Sequence, residues 1–250
     1  MQIGALQAVG LAVAGIHAWL FLRGRAPDLN MKALKIAMIF GATASLLQPF
    51  VGHFAGERVA EFQPAKLAAI EGHFKTGPRA PLTLGGIPDA DTQTMKWGLQ
   101  IPGALSLLAH RDINAEVIGL DKFPRDEWPP LVITHIAFQV MVGIGSLLAL
   151  LSLLYFWFLR RAAFPRWLLW LLVLCAPLGM IAIEAGWIVT EVGRQPWIIY
   201  GIMRTKDAVT PVPGMVYHFY LFLVLYLGLA AATVWLLSRQ IHTVQKKFGG

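Results

Sequence analysis

Five apolar stretches, each close to the length needed to cross a lipid bilayer, dominate this 250-residue chain. A helix needs about 20 mainly apolar residues to span the hydrocarbon core. Backbone polar groups surrounded by lipid must pair within their own segment, so isolated spans of this kind have to be helical. The pattern predicts an all-α integral membrane protein with about five transmembrane helices, at 3–22, 33–53, 130–159, 166–191 and 214–238.

The charged residues support a membrane location. They make up only 14% of the chain, whereas a soluble globular domain carries about 25%. Basic residues concentrate in the connections between spans, which is typical of cytoplasmic connections and predicts a bacterial-type inner membrane protein with its N-terminus outside and its C-terminus cytoplasmic. No soluble module carries a basic face, which excludes a nucleic-acid partner. The basic residues that carry this argument flank the first two spans or lie between the third and fourth (Arg23, Arg25, Lys32, Lys35, Arg160, Arg161 and Arg166) or follow the last span (Arg239, Lys246 and Lys247).

A long polar loop at 54–128 separates the second and third spans. Its charges are nearly balanced, so it is expected outside the membrane, opposite the basic connections. A proline at its start predicts a short helix at 64–71. This helix carries Lys66 and Glu71, which are either a solvated surface pair or part of a pocket where a quinone head group binds and gives up protons.

The fourth span contains two carboxylates, Glu184 and Glu191, the only acids within the five apolar stretches. Trp187 lies between them, so a helix presents all three on one face over about 10 Å. Acids at bilayer depth are costly and functional by default. They belong to a satisfied polar network between helices, to a proton or ion path, or to a metal-cofactor site. Arg194 is placed to pair with Glu191 or with an anionic cofactor group.

Met141 in the third span also has two interpretations. A methionine in an apolar helix is usually a packing side chain, but a thioether can be an axial ligand of haem iron, usually opposite a histidine. Gly143 and Gly145 leave room for a close helix or a flat macrocycle. His135 and His218 lie near the ends of spans and are interpreted as interfacial residues.

Several motifs, in a shared order along the chain, resemble cytochrome bd-type quinol oxidase subunit I. EAGWIVTEVGRQPW at 184–197 resembles the signature of that family. KLAAIE at 66–71 resembles its quinol-loop motif, and LGGIPD at 84–89 and QIPGAL at 100–105 resemble other parts of that loop. AWLFLRGR at 18–25 resembles the end of the family's fifth helix.

The resemblance implies a haem-binding subunit of a complex that oxidises quinol and reduces oxygen to water. Residues 1–250 are then a single membrane domain, with 54–128 as a quinol-type extracytoplasmic loop. Lys66 and Glu71 match residues implicated in quinol oxidation. Met141 matches the methionine ligand of the low-spin haem that accepts electrons from quinol.

The resemblance also implies roles for the polar face of the fourth span. Glu191 matches the glutamate that serves one of two high-spin haems, Trp187 the tryptophan between haems, and Glu184 a companion carboxylate. Together with Arg194 and Met141 they are expected to bind haem b, haem d or both, with Met141 and Glu191 as iron ligands.

Departures from the family point to a partner. Only the last five spans of subunit I are represented, and the histidine expected opposite Met141 would fall at or before Met1. Gln139 stands where the family commonly has arginine. We therefore expect the C-terminal half of a split subunit I, inactive alone, with another chain supplying the N-terminal half and a subunit II-like chain as a further candidate partner.

Two alternatives remain open. In one, the chain is a structural paralogue that docks on a complete oxidase without binding haem. In the other, it belongs to a redox complex that passes electrons between quinone and an acceptor other than oxygen. Both alternatives keep the membrane fold and change the chemistry.

Overall fold

The computed structural model describes residues 2–161 and 164–248, which form eight α-helices and several short two-stranded sheets. Five helical segments are long and apolar enough to cross a membrane, as the sequence predicts. The helices are α1 (Gln2–Leu22), α2 (Pro27–Phe62), α3 (Pro64–Glu71), α4 (Ala104–His110), α5 (Leu131–Arg160), α6 (Arg166–Cys175), α7 (Leu178–Glu191) and α8 (Met215–Phe248).

Three predicted spans differ from the structure, and one of them is the last, because α8 continues to Phe248, beyond the predicted end at residue 238. α2 continues to Phe62, well beyond the predicted end at residue 53, so the first residues of the predicted loop are helical. A helix that leaves the bilayer no longer needs apolar residues, so hydropathy does not mark its end. The fourth span is divided between α6 and α7, with Pro177 directly before α7. Proline lacks the amide hydrogen that would continue the first helix.

Small residues let α1 pack closely against α2, α6 and α7. A Cβ added to Gly10 would lie 2.6 Å from the Cα of Gly41 on α2, and one added to Gly15 would lie 2.5 Å from the Cβ of Ala176. Without a hydrophobic driving force between helices in lipid, such close approach supplies the van der Waals contact that holds them together.

Buried side chains form one core inside the bundle and another beneath the long loop. The first joins α1, α2, α5 and α6 and includes Leu11, Met38 and Tyr155. The second joins Leu67 and Ile70 of α3 to buried residues of α5 and α7. The loop is therefore packed onto the helix bundle at one end.

The strands are short and all pair in antiparallel fashion. Three pairs belong to the long loop, and the fourth lies in the connection between α7 and α8. The pairs are β1 (Gly77–Pro78) with β6 (Glu116–Val117), β2 (Leu82–Leu84) with β5 (Leu99–Ile101), β3 (Ile87–Asp89) with β4 (Thr94–Lys96), and β7 (Trp197–Ile199) with β8 (Met203–Arg204).

Candidate functional site

A cavity of about 370 Å³ lies where α2, α3, α4 and α5 meet, and we call it the loop cavity. Its volume is in the range of small-molecule pockets. Its lining is mostly apolar, with polar side chains from Gln48, His53, Glu71 and Ser146. Among the described residues, Gln48 Oε1 and Glu71 Oε2 are buried without a hydrogen-bond partner. Buried polar atoms are normally hydrogen-bonded, so a ligand or water in the cavity is a candidate partner for these two.

Glu71 reaches the loop cavity from the last residue of α3. Pro64 starts this helix, where a missing amide hydrogen costs nothing. Gly72 terminates it in the left-handed region, with φ of 62°. This backbone conformation favours glycine, and a Cβ there would also force the end of the Met95 side chain to move. Burial disfavours the charged carboxylate and raises the pKa of Glu71 to about 8. A carboxyl group with this pKa can exchange protons near neutral pH.

Two polar side chains of α5 fasten the loop beside the cavity. His135 is fully buried, and its ring nitrogens lie 2.8 Å from the Ile70 carbonyl oxygen and 3.2 Å from the Gly85 carbonyl oxygen. Gln139 donates to the Thr83 carbonyl at 2.9 Å and accepts from the Gly85 amide at 3.1 Å. The folded loop covers the His135 ring and supplies its carbonyl partners, so this side chain is buried in the protein.

Met141 lines the loop cavity from α5 and also contacts α7. A Cβ added to Gly186 would lie 3.0 Å from the Met141 sulfur, so the glycine provides the space that the thioether occupies. Glu71 and Met141, which the sequence predicts for quinol oxidation and haem ligation, therefore line one cavity.

Lys66 and Glu71 share α3 but have different surroundings. Lys66 Nζ donates to the Thr190 carbonyl at 3.4 Å and is not among the described residues that line the loop cavity. Arg194 donates to the same carbonyl at 3.3 Å and pairs with Glu191 at 2.5 Å. The C-terminal end of a helix attracts cations. Burial lowers the pKa of Lys66, and the charge of Arg194 lowers it further, against the opposing effect of Glu191.

An exposed polar row on α7, made of Glu184, Trp187 and Glu191, is named here the α7 stripe. Trp187 is 60% exposed, and the Glu191 side chain is 51% exposed. The helix instead buries Gly179, Ala185 and Val189. Carboxylates exposed to lipid on an apolar helix are costly, so this stripe is a candidate contact for a cofactor or another polypeptide.

Sequence reasoning gave no site role to Gln48 or His53, which reach the loop cavity from α2. The available signal was the spacing of His53 and Glu57, which places them on one helical face only if α2 continues past residue 53. His53 Nε2 lies 3.2 Å from Glu57 Oε1. Arg111 donates to both Glu57 oxygens, at 2.5 and 2.9 Å.

Comparisons with known proteins agree with this architecture. The family described as cytochrome bd terminal oxidase subunit I matches residues 1–245. A Bacillus subtilis strain 168 protein provisionally named cytochrome bd menaquinol oxidase subunit I is 40% identical over 94% of this chain. The cytochrome bd ubiquinol oxidase subunit 1 of the same organism is 31% identical over 95% of the chain.

Solved structures show the same fold. A chain of the bd oxidase from Geobacillus thermodenitrificans matches 96% of this chain with a TM-score of 0.84 and 39% identity. The present chain spans about half the length of its relatives, covering 54% of each Bacillus protein and 56% of the Geobacillus chain. These matches are consistent with the C-terminal half of subunit I, and together with the apolar helices they support a bacterial inner-membrane protein. The chain belongs to the cytochrome bd terminal oxidase subunit I family.

Proposed function

We propose that this chain supplies the quinol site and part of the haem sites of a cytochrome bd-type complex that oxidises quinol and reduces oxygen to water. The observation that carries the proposal is the buried, unpartnered carboxylate of Glu71 in the same apolar cavity as the Met141 thioether. A flat apolar ring with hydroxyl donors suits such a cavity, because its hydroxyls can satisfy the buried acceptors. Relatives named as menaquinol and ubiquinol oxidase subunits support this ligand class.

Glu71 is the proposed proton acceptor for quinol. Oxidation of a quinol releases its hydroxyl protons, and a positioned carboxylate can take one of them during the reaction. With a pKa of about 8, a fraction of Glu71 is ionised near neutral pH and can take the proton, and the protonated group can release it again. Lys66 contributes by positioning: its bond to the Thr190 carbonyl holds α3 against α7 and so fixes the direction of Glu71.

The side chains present fit part of a haem site. Met141 offers a thioether at the cavity wall, with its sulfur seated against Gly186. The α7 stripe and Arg194 offer carboxylates, an indole and a cation on one helix end. We assign Met141 and Glu191 as iron ligands of haem b, haem d or both, with Trp187 and Arg194 in contact with the cofactor. Bound haem would accept the electrons of quinol and supply the oxygen chemistry.

Further polypeptide is proposed to complete the site. The α7 stripe is exposed, and no residue in the most apolar part of α8 is buried by the described remainder of the chain. We propose that the N-terminal half of the family fold, on a separate chain, packs over the α7 stripe and α8. A subunit II-like chain is a further proposed partner. The basic connections orient this assembly with the long loop outside and the C-terminus in the cytoplasm.

Quinol oxidation by the native complex in membranes tests the proposal. Glu71→Gln keeps the size of the side chain but removes the base, so kcat is expected to fall about 10²-fold or more. Glu61→Gln is the matched control, because this exposed glutamate on α2 pairs with Arg58 at the surface. Wild-type turnover in Glu71→Gln would contradict the proposal.

The same preparation separates the two alternative functions. A complex without haem, copurifying with a complete oxidase, would favour a structural paralogue. Quinol oxidation without oxygen uptake would favour electron transfer to another acceptor. Oxygen uptake driven by quinol is the outcome that the proposed function requires.

A further inference from the structure

We infer that His53 and Glu57 form a proton exit that leads from the loop cavity to the surface of the long loop. The inference rests on the proposed quinol oxidation, because it assigns a route to protons that this reaction releases. It adds to the role of Glu71, whose carboxylate can hold only one proton, because oxidation of a quinol releases two protons and the second needs another acceptor.

A continuous row of side chains leads out of the cavity. His53 lines the loop cavity, and its Nε2 lies 3.2 Å from Glu57 Oε1 one helical turn further along α2. The Glu57 side chain is only 20% exposed, whereas that of its partner Arg111 is 67% exposed. The His53 side chain is itself 37% exposed, so the row runs from a partly open histidine at the cavity wall, through the less exposed carboxylate of Glu57, to Arg111 in solvent.

The chemistry of each group suits this direction. A neutral imidazole accepts a proton on one ring nitrogen while it donates from the other. When a quinol hydroxyl loses its proton, the O–H bond breaks and the proton moves to His53 Nδ1, while the Nε2 proton passes to Glu57 Oε1. Bound haem, as in the proposed function, would accept the accompanying electrons, and Glu57 releases its proton to water beside Arg111.

The charged groups that act on Glu57 are Arg111, His53 and Arg58. Arg58 pairs with Glu61 at 3.1 Å and leaves Glu57 to His53 and Arg111. The engagement of His53 Nε2 by Glu57 also argues against His53 as an iron ligand, since that nitrogen already has a carboxylate partner. If His53 and Glu57 served only to stabilise α2, there would be no reason for the pair to lie between the loop cavity and solvent.

Turnover of the native membrane complex with a soluble quinol provides the first test. Glu57→Gln is expected to lower kcat by about tenfold or more, with KM for quinol unchanged and a larger solvent deuterium isotope effect. Glu61→Gln, one turn further along the same helix and also paired with an arginine, is the matched control and should keep wild-type values. Equal kcat values in the two variants would overturn the inference.

Chemical rescue provides a second test. Imidazole would not restore the activity of a His53 variant if His53 had only a structural role. His53→Ala should show a similar loss of kcat, and added imidazole should restore a large part of it. Imidazole should not restore Glu57→Gln. Failure of rescue, or loss of the low-spin haem spectrum in His53→Ala, would overturn the exit route. A wild-type complex that oxidises no quinol would instead refute the proposed function itself.

Discussion

Glu71 combines near-complete burial with a carboxylate oxygen that has no partner among the described residues. Its pKa is raised from an ordinary value of 4.5 to about 8 because the apolar cavity disfavours the charged form. The folded chain therefore keeps a proton on Glu71 at pH values where the unfolded chain has lost it. Stability linked to this group is fully present below pH 4.5 and is lost as the pH rises towards 8.

The thermal stability of the purified complex should reveal this linkage. Between pH 4.5 and pH 8, the melting temperature of the wild type is expected to fall more steeply than that of Glu71→Gln. The glutamine cannot ionise, so its burial has the same free energy at every pH in this interval. Parallel curves for the two proteins would show that the carboxyl group is not held in its protonated form.

At the scale of secondary structure elements, α5 organises the site by fastening the loop. His135 holds the end of α3 and the turn after β2, and Gln139 holds the same turn through two hydrogen bonds. Met141 follows on the same helix and lines the cavity. The turn after β2 and the cavity wall are therefore fixed by one rigid element.

Removing the Gln139 amide should loosen the loop. Gln139→Leu leaves the Thr83 carbonyl and the Gly85 amide without these partners, at a cost of about 1–3 kcal/mol for each group that stays buried. Hydrogen exchange of the Gly85 amide should become faster in the variant. Gln240→Leu, at an exposed position of α8, is the control and should leave this exchange unchanged. Equal protection of Gly85 in both variants would show that the glutamine does not hold the turn.

Sequence alone predicts the elements better than their contacts. The five spans follow from hydropathy, and α3 follows from Pro64 at its start. The extension of α2 to Phe62 is hidden, because Glu57 and Arg58 end the apolar window without ending the helix. The role of His135 depends on which loop segments fold against it, and neither spacing nor hydropathy contains that information. The spacing of His53 and Glu57 becomes a signal only once α2 is known to continue past residue 53.

At the scale of the whole molecule, charge and exposure are the basis for the proposed arrangement of the chain in the membrane. The basic connections favour a cytoplasmic C-terminus, and the long loop then lies on the opposite side with the cavity beneath it. The exposed α7 stripe and α8 mark the side on which additional polypeptide is proposed to pack.

Labelling of single cysteines tests this orientation. Cys175 is the single native cysteine and is buried, so a Cys175→Ser background removes it. In intact cells, a membrane-impermeant maleimide should label Asp91→Cys in the loop. Thr243→Cys, near the end of α8, should react only after the membrane is opened. The reverse pattern would show that the loop faces the cytoplasm.

The quinol-reduced minus oxidised difference spectrum of the native complex tests most directly whether haem binds beside the loop cavity and receives electrons from quinol. The wild type should show a low-spin haem band. Met141→Leu should lose this band, whereas Met180→Leu, at an exposed position of α7 outside the described cavity lining, should keep it. A wild type without the band, or a Met141→Leu spectrum identical to that of the wild type, would contradict the assignment.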